Sequence, residues 1–257
     1  MPYYKLSPEG VPILSADQIN KMADQLVREA QPELYFSQLD SVNLSKIMKR
    51  LNGWHFAGRY LSRSGGLLGL ACFQGGTLVI TDETRTETST LEVPPHSILV
   101  DRALFQKENE RVFRFTLAHE MGHALLHERF ASSPKNMEAY KDQGNQRRLE
   151  DREDCFGIRE KRDLQTSYDW IEWQANAFAS ALLMPKTLIR QTRNLVFSER
   201  VPYMEFINEL CITVMDVFKV SQSAAFYRLK EMEYVPEDCQ ILPNGAIVKK
   251  MNGLTNI

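Results

Sequence analysis

The stretch FTLAHEMGHALLH, Phe115 to His127, holds three of the five histidines in this 257-residue chain. His119, His123 and His127 recur every four residues, and Glu120 follows the first. On a helix, residues i and i+4 lie about 40° apart around the axis and one turn apart along it. His119 and His123 can therefore aim two imidazoles at one ion, with Glu120 placed to reach a water there, which is the physical content of H-E-x-x-H. Val112, Phe115, Leu117, Ala118, Met121, Ala124, Leu125 and Leu126 surround the motif on nearly every side. Such a helix is buried, and polar groups inside it need partners. Gly122 costs about 1 kcal/mol relative to Ala in a helix, so another backbone is expected to pass close by. The pattern predicts a buried helix over residues 110–127 and one zinc ion per chain, because zinc suits two imidazoles, a carboxylate oxygen and an open position.

The third ligand has several candidates. His127 lies two turns from His119, about 12 Å along the axis, too far to share an ion with bonds of ~2.1 Å. It reads as a core or supporting histidine. The pattern H-E-x-x-H-x-x-G-x-x-H fails, since Leu126 and Arg129 stand where Gly and His are needed. Glu172 stands on a second buried helix, DWIEWQANAFASALLMP, which Pro185 ends. Its alternating alanines let two helices approach, and a carboxylate among Trp170, Ile171, Trp173 and Phe178 wants a partner. Asp169 is the reserve candidate, although it looks more like an N-cap.

The flanking chain frames these helices. LSADQINKMADQLVREA opens with a capping-box pattern at Ser15 and Gln18. NLSKIMKRL reads as a second helix stopping near Asn52-Gly53. From Trp54 to Val100, short β-branched and aromatic runs alternate with Gly65-Gly66, Gly75-Gly76 and Pro94-Pro95, the pattern of a small sheet. Residues 128–167 carry nine basic and nine acidic side chains and few apolar ones, so a solvated, mobile flap near the cleft is expected. No apolar run approaches the ~20 residues that span a bilayer, and the N-terminus lacks a signal-peptide pattern, so a cytoplasmic location is expected. Cys72, Cys155, Cys211 and Cys239 form no C-x-x-C pair, and a net charge of −2 gives no basic field for nucleic acid.

RFTLAHEMGHALLH and EWQANAFASALLMP, with an apolar strand before the first, resemble the ImmA/IrrE-type metallopeptidases over about Ile98 to Gln191. The resemblance implies an α+β, zincin-like domain in which His119, His123 and Glu172 bind zinc and Glu120 is the catalytic base. It also implies cleavage of a cytoplasmic protein, a repressor or other regulator. The long charged insertion between the motifs departs from the family pattern and bears on the shape of the cleft. Candidates for stabilising a tetrahedral oxyanion are His127, Tyr168 and Tyr203.

Two domains are expected: a metallopeptidase domain over 1–193 and a helical module over 194–257, in which recognition of the substrate would partly reside. Within the module, VMDVFKVSQSAAFYRLKEM reads as a helix-turn-helix, with Ser221 capping its second helix. This supplies the rival reading, a DNA-binding regulator with a structural zinc. Lys219, Arg228 and Lys230 against Glu231 make no basic face, so direct DNA binding is not expected. DNA binding would survive loss of Glu120, whereas peptide hydrolysis would not.

Overall fold

The computed structural model describes residues 4–36, 39–136, 164–197 and 201–249. Helix α1, Ala16–Ala30, starts at the expected capping box, in which Gln18 N donates to Ser15 Oγ at 3.2 Å and Ser15 N donates to Gln18 Oε1 at 2.8 Å. Ile19, Ala23 and Val27, at helical spacing, form its buried stripe. Helix α2, Leu44–Met48, is shorter than expected and is capped by Asn43.

Five strands follow: β1 His55–Arg59, β2 Gly69–Cys72, β3 Gly76–Thr81, β4 Thr88–Val93 and β5 Ser97–Asp101. Strand β5 is central. It pairs with β1 in parallel (Phe56 opposite Ile98) and with β2 antiparallel (Leu70 opposite Leu99). All five of its residues are buried, as the run SILVD requires. Strands β3 and β4 form a separate hairpin. Leu78 and Leu91 of that hairpin pack with Leu61, Val93 and Leu99, covering the sheet face that α3 does not.

Helix α3, Glu110–Leu126, lies against β2 and β5 and also against helix α5, Ser167–Leu183. Packing on two layers at once explains its all-round apolar pattern. A Cβ on Gly122 would come within 3.1 Å of Ala175 Cα and 3.2 Å of its carbonyl oxygen, so the expected close backbone is that of α5. Helix α5 is capped by Thr166 and not by Asp169. The Asp169 carboxylate accepts from Thr166 N at 2.8 Å in a capping box and is buried, which removes it from the candidate ligands.

Of the charged stretch 128–167, residues 137–163 lie outside the described residues, and so does the flap expected there. The described ends fold onto the body. Helix α4, Glu128–Ala131, buries Phe130 and Ala131, and Asn136 Nδ2 donates to Glu9 O at 2.8 Å. These nine residues, 128–136, are thus less solvated than their charge suggests, because Phe130 joins Val11 and Ile171 in a small cluster.

Helix α6, Lys186–Val196, α7, Tyr203–Phe218, and α8, Gln222–Glu231, complete the helical part, followed by a hairpin of β6, Cys239–Ile241, and β7, Ile247–Lys249. The α7–α8 pair has the expected helix-turn-helix form: Lys219 takes a left-handed conformation (φ 54°) and Ser221 Oγ accepts from Ala224 N. Lys219 is exposed, but Arg228 and Lys230 turn inward. Arg228 is 1% exposed and donates to Met184 O at 3.0 Å and Asn20 Oδ1 at 2.6 Å. Lys230 Nζ donates to Glu237 O at 2.9 Å and to Cys239 O at 3.1 Å. Phe206, Leu210, Val214, Phe218, Phe226 and Leu229 belong to the same apolar core as Met121, Phe178 and Leu182 of the motif helices. Among the described residues, no helix is long and apolar enough to cross a membrane.

Candidate metal centre

Helices α3 and α5 bring three side chains together. His119 Nε2 and His123 Nε2 face each other at 2.9 Å. Glu172 lies across from both, with Oε2 3.4 Å from His119 Nε2 and Oε1 3.5 Å from His123 Nε2. One ligand atom from each residue can be chosen so that all three lie within 4.8 Å of one another. In a tetrahedron with bonds of ~2.1 Å, neighbouring donors sit about 3.4 Å apart, so this donor set fits a zinc-sized cation. Without a cation, two ring nitrogens at 2.9 Å must share a proton. Glu172, and not His127 or Asp169, thus faces the Nε2 atoms of both histidines.

The surroundings hold each ligand in place. His119 Nδ1 is 2.9 Å from Asn176 Oδ1, and His123 Nδ1 is 3.0 Å from His127 Nδ1. His127 Nε2 is 3.0 Å from Gln174 Oε1. The motif EWQAN therefore supplies a ligand candidate, Glu172, and partners for two histidines in Asn176 and Gln174. Metal-binding histidines commonly use their other ring nitrogen this way. Sequence reasoning left Asn176 and Gln174 unassigned, although their spacing from Glu172 was visible.

Electrostatics separates the histidines. Burial alone pushes His119 down, but the hydrogen bond and charge of Glu172, then Glu120 and Asn176, carry it up to about 9 in the metal-free protein. Burial holds His127 down, at about 4, and His123 well below its usual value. At pH 7 the pocket therefore holds a proton on His119 that an incoming cation must displace. Since a raised pKa keeps the proton on until pH nears 9, metal affinity should climb between pH 6 and 9. Calorimetry at pH 7 in buffers of different ionisation heat should record release of about one proton per metal bound. No release would show that His119 carries no displaceable proton at pH 7 or is not a ligand.

Glu120 is 7% exposed and follows His119 on α3, on the side facing the start of β2. A Cβ on Gly69 would lie 2.5 Å from Glu120 Oε1 and 2.7 Å from Thr116 Cγ2. Only glycine lets the edge strand β2 run this close to the carboxylate. No sequence pattern marks this approach, since Gly69 sits in GLLGLACF as one glycine among leucines. Gly69→Ala should keep the fold but displace Glu120, and if that carboxylate acts on substrate, peptide hydrolysis should fall by roughly 10²-fold. Parent-like activity with bound metal would mean that Glu120 tolerates the shift.

A three-donor pocket beside a buried glutamate is an arrangement suited to metal-assisted hydrolysis, the class of a metallopeptidase. The family model described as the IrrE N-terminal-like domain, of the peptidase M78 family, matches residues 103–230. The chain belongs to that family, and its α+β architecture is the one expected. No curated protein matches it significantly. The matched span runs beyond α5 through α7 and almost to the end of α8, further than the two motifs alone indicate.

Proposed function

We propose that the chain is a zinc-dependent endopeptidase whose ion is held by His119, His123 and Glu172 and whose general base is Glu120. The observation that carries this reading is the convergence of two imidazoles and one carboxylate, from two helices in close backbone contact, beside a buried glutamate. When bound, zinc would supply a Lewis acid that polarises the scissile carbonyl and acidifies water. Glu120 takes the proton from the attacking water and returns it to the leaving amine. Of the three oxyanion candidates, His127, Tyr168 and Tyr203, the proposed donor is Tyr168, because it lies one turn before Glu172 on α5.

The proposed substrate is a cytoplasmic regulatory protein, a DNA-bound repressor in particular, and the resemblance of the two motifs supplies that class. Ile212 on α7 and Tyr227 on α8 are exposed apolar side chains available for docking it. The inward-turned Arg228 and Lys230 favour protein docking there over contact with DNA phosphates. Incubating the zinc-loaded chain with repressors from the same cell should yield one cleaved at a single internal bond. Chelation should stop cleavage and added zinc should restore it. Cleavage that persists in chelator would overturn the zinc mechanism. Specific binding to duplex DNA at physiological salt, without proteolysis, would replace this reading with the regulator.

A further inference from the structure

The hydrogen bonds behind the metal site have a forced direction. Gln174 Nε2 is 2.6 Å from Pro12 O. A carbonyl oxygen only accepts, so the amide NH2 of Gln174 must face Pro12, and its Oε1 must face His127. His127 Nε2, 3.0 Å from that Oε1, must then carry the hydrogen. In a neutral His127 ring the hydrogen on Nε2 leaves Nδ1 as a bare lone pair. The facing His123 Nδ1 at 3.0 Å must therefore be the donor. That leaves His123 Nε2 bare and pointing at His119 and Glu172. For neutral His127 and His123 rings, every link follows from one fixed point, the carbonyl of Pro12.

We propose that Gln174 and His127 are positioning residues, which hold His123 in the Nδ1–H tautomer so that its Nε2 lone pair faces the cation site, and that the N-terminal segment sets the direction of this relay. The inference rests on the metal reading of His119, His123 and Glu172. The segment is built to act as a fixed point. Ile13 N donates to Lys5 O and Ser7 N to Val11 O, both at 2.8 Å, which closes it into a tight loop. Val11, 3% exposed, is clamped between Phe130 of α4 and Ile171 of α5. A Cβ on Gly10 would come within 3.3 Å of Arg129 O, so the loop sits directly on α4. Residues 5–13 precede the family-matched span, yet they orient a side chain at its centre. Without Gln174 the contact between the two Nδ1 atoms could be made equally well by a hydrogen on His127. His123 would then carry its hydrogen on Nε2, the atom that must bind the cation.

The test is two-bond 1H–15N NMR on the metal-free, full-length protein with 15N-labelled histidine, which reports which ring nitrogen bears each hydrogen. The expected wild-type result is Nδ1–H at His123 and Nε2–H at His127. In Gln174→Met, which keeps the side-chain volume and removes the acceptor, His123 should shift toward the Nε2–H form. Zinc affinity should fall about 10–100-fold, the usual cost of losing a partner behind a ligand. Nε2–H at His123 in the wild type would overturn the proposal without any variant. An unchanged His123 tautomer in a folded Gln174→Met protein would overturn it as well. If the wild type shows the expected tautomers but binds no zinc, the relay stands and the metal reading falls.

Discussion

Glu120→Gln should bind zinc as the wild type does, melt at a similar temperature, and hydrolyse its substrate about 10²–10⁴-fold more slowly. The amide has nearly the shape of the carboxylate, so it fits between α3 and Gly69 of β2 without forcing either to move. What it loses is the ability to accept a proton from water. Glu120 is not one of the three clustered donors, so zinc stoichiometry is the internal control. A single-turnover assay on a confirmed substrate, with zinc measured on the same sample, is the check. Parent-like turnover would remove Glu120 as the base. A variant that lost both zinc and activity would place Glu120 among the ligands.

Glu172→Ala is expected to be the most damaging change to metal occupancy. It removes the only carboxylate in the cluster and leaves two imidazoles, a pair that holds zinc far more weakly than three donors do. Zinc content after dialysis should fall from about one per chain to a small fraction, and hydrolysis should disappear with it. The side chain is 27% exposed and contributes little to the core, so the variant should remain folded. Full occupancy in this variant would require another third ligand. The capping-box role of Asp169 and the Gln174 contact of His127 argue against either as the substitute.

The parts of the fold that were legible in the sequence share a physical basis. Helices α3 and α5 announce themselves because a chain buried on all sides must be apolar on all sides, and their few polar residues then stand out as site candidates. Strand β5 was visible for the same reason. Gly122 was readable because a glycine in a helix costs stability and needs a cause, and that cause is Ala175. Gly69 was not readable, because a glycine in a short strand signals nothing about what lies opposite. Gln174 and Asn176 were hidden for another reason. Glutamine and asparagine on a helix are ordinary on a solvated face, and only the position of α3 shows that these two point at histidine rings. The link between Pro12 and the site spans 162 positions of sequence and has no local pattern at all. Phe130 was misjudged because the surrounding charge outweighed one aromatic residue in a reading by composition.

The inward turn of Arg228 constrains how this lineage can vary. Its guanidinium donates from Nε and Nη2 to the carbonyl of Met184, the residue that closes α5, and from Nη2 to Asn20 of α1. Position 228 thus holds together the end of the Glu172 helix, the first helix and the last. Lysine there would offer one small ammonium where a planar fork reaches three elements, so even this exchange is not a conservative one. The neighbouring Tyr227, on the outer side of the same helix, carries no such duty and is free to drift. New specificities should therefore accumulate at positions such as 212 and 227 while 228 stays fixed, and relatives that accept different partners should differ on the outward side of α8 long before they differ on its inward side.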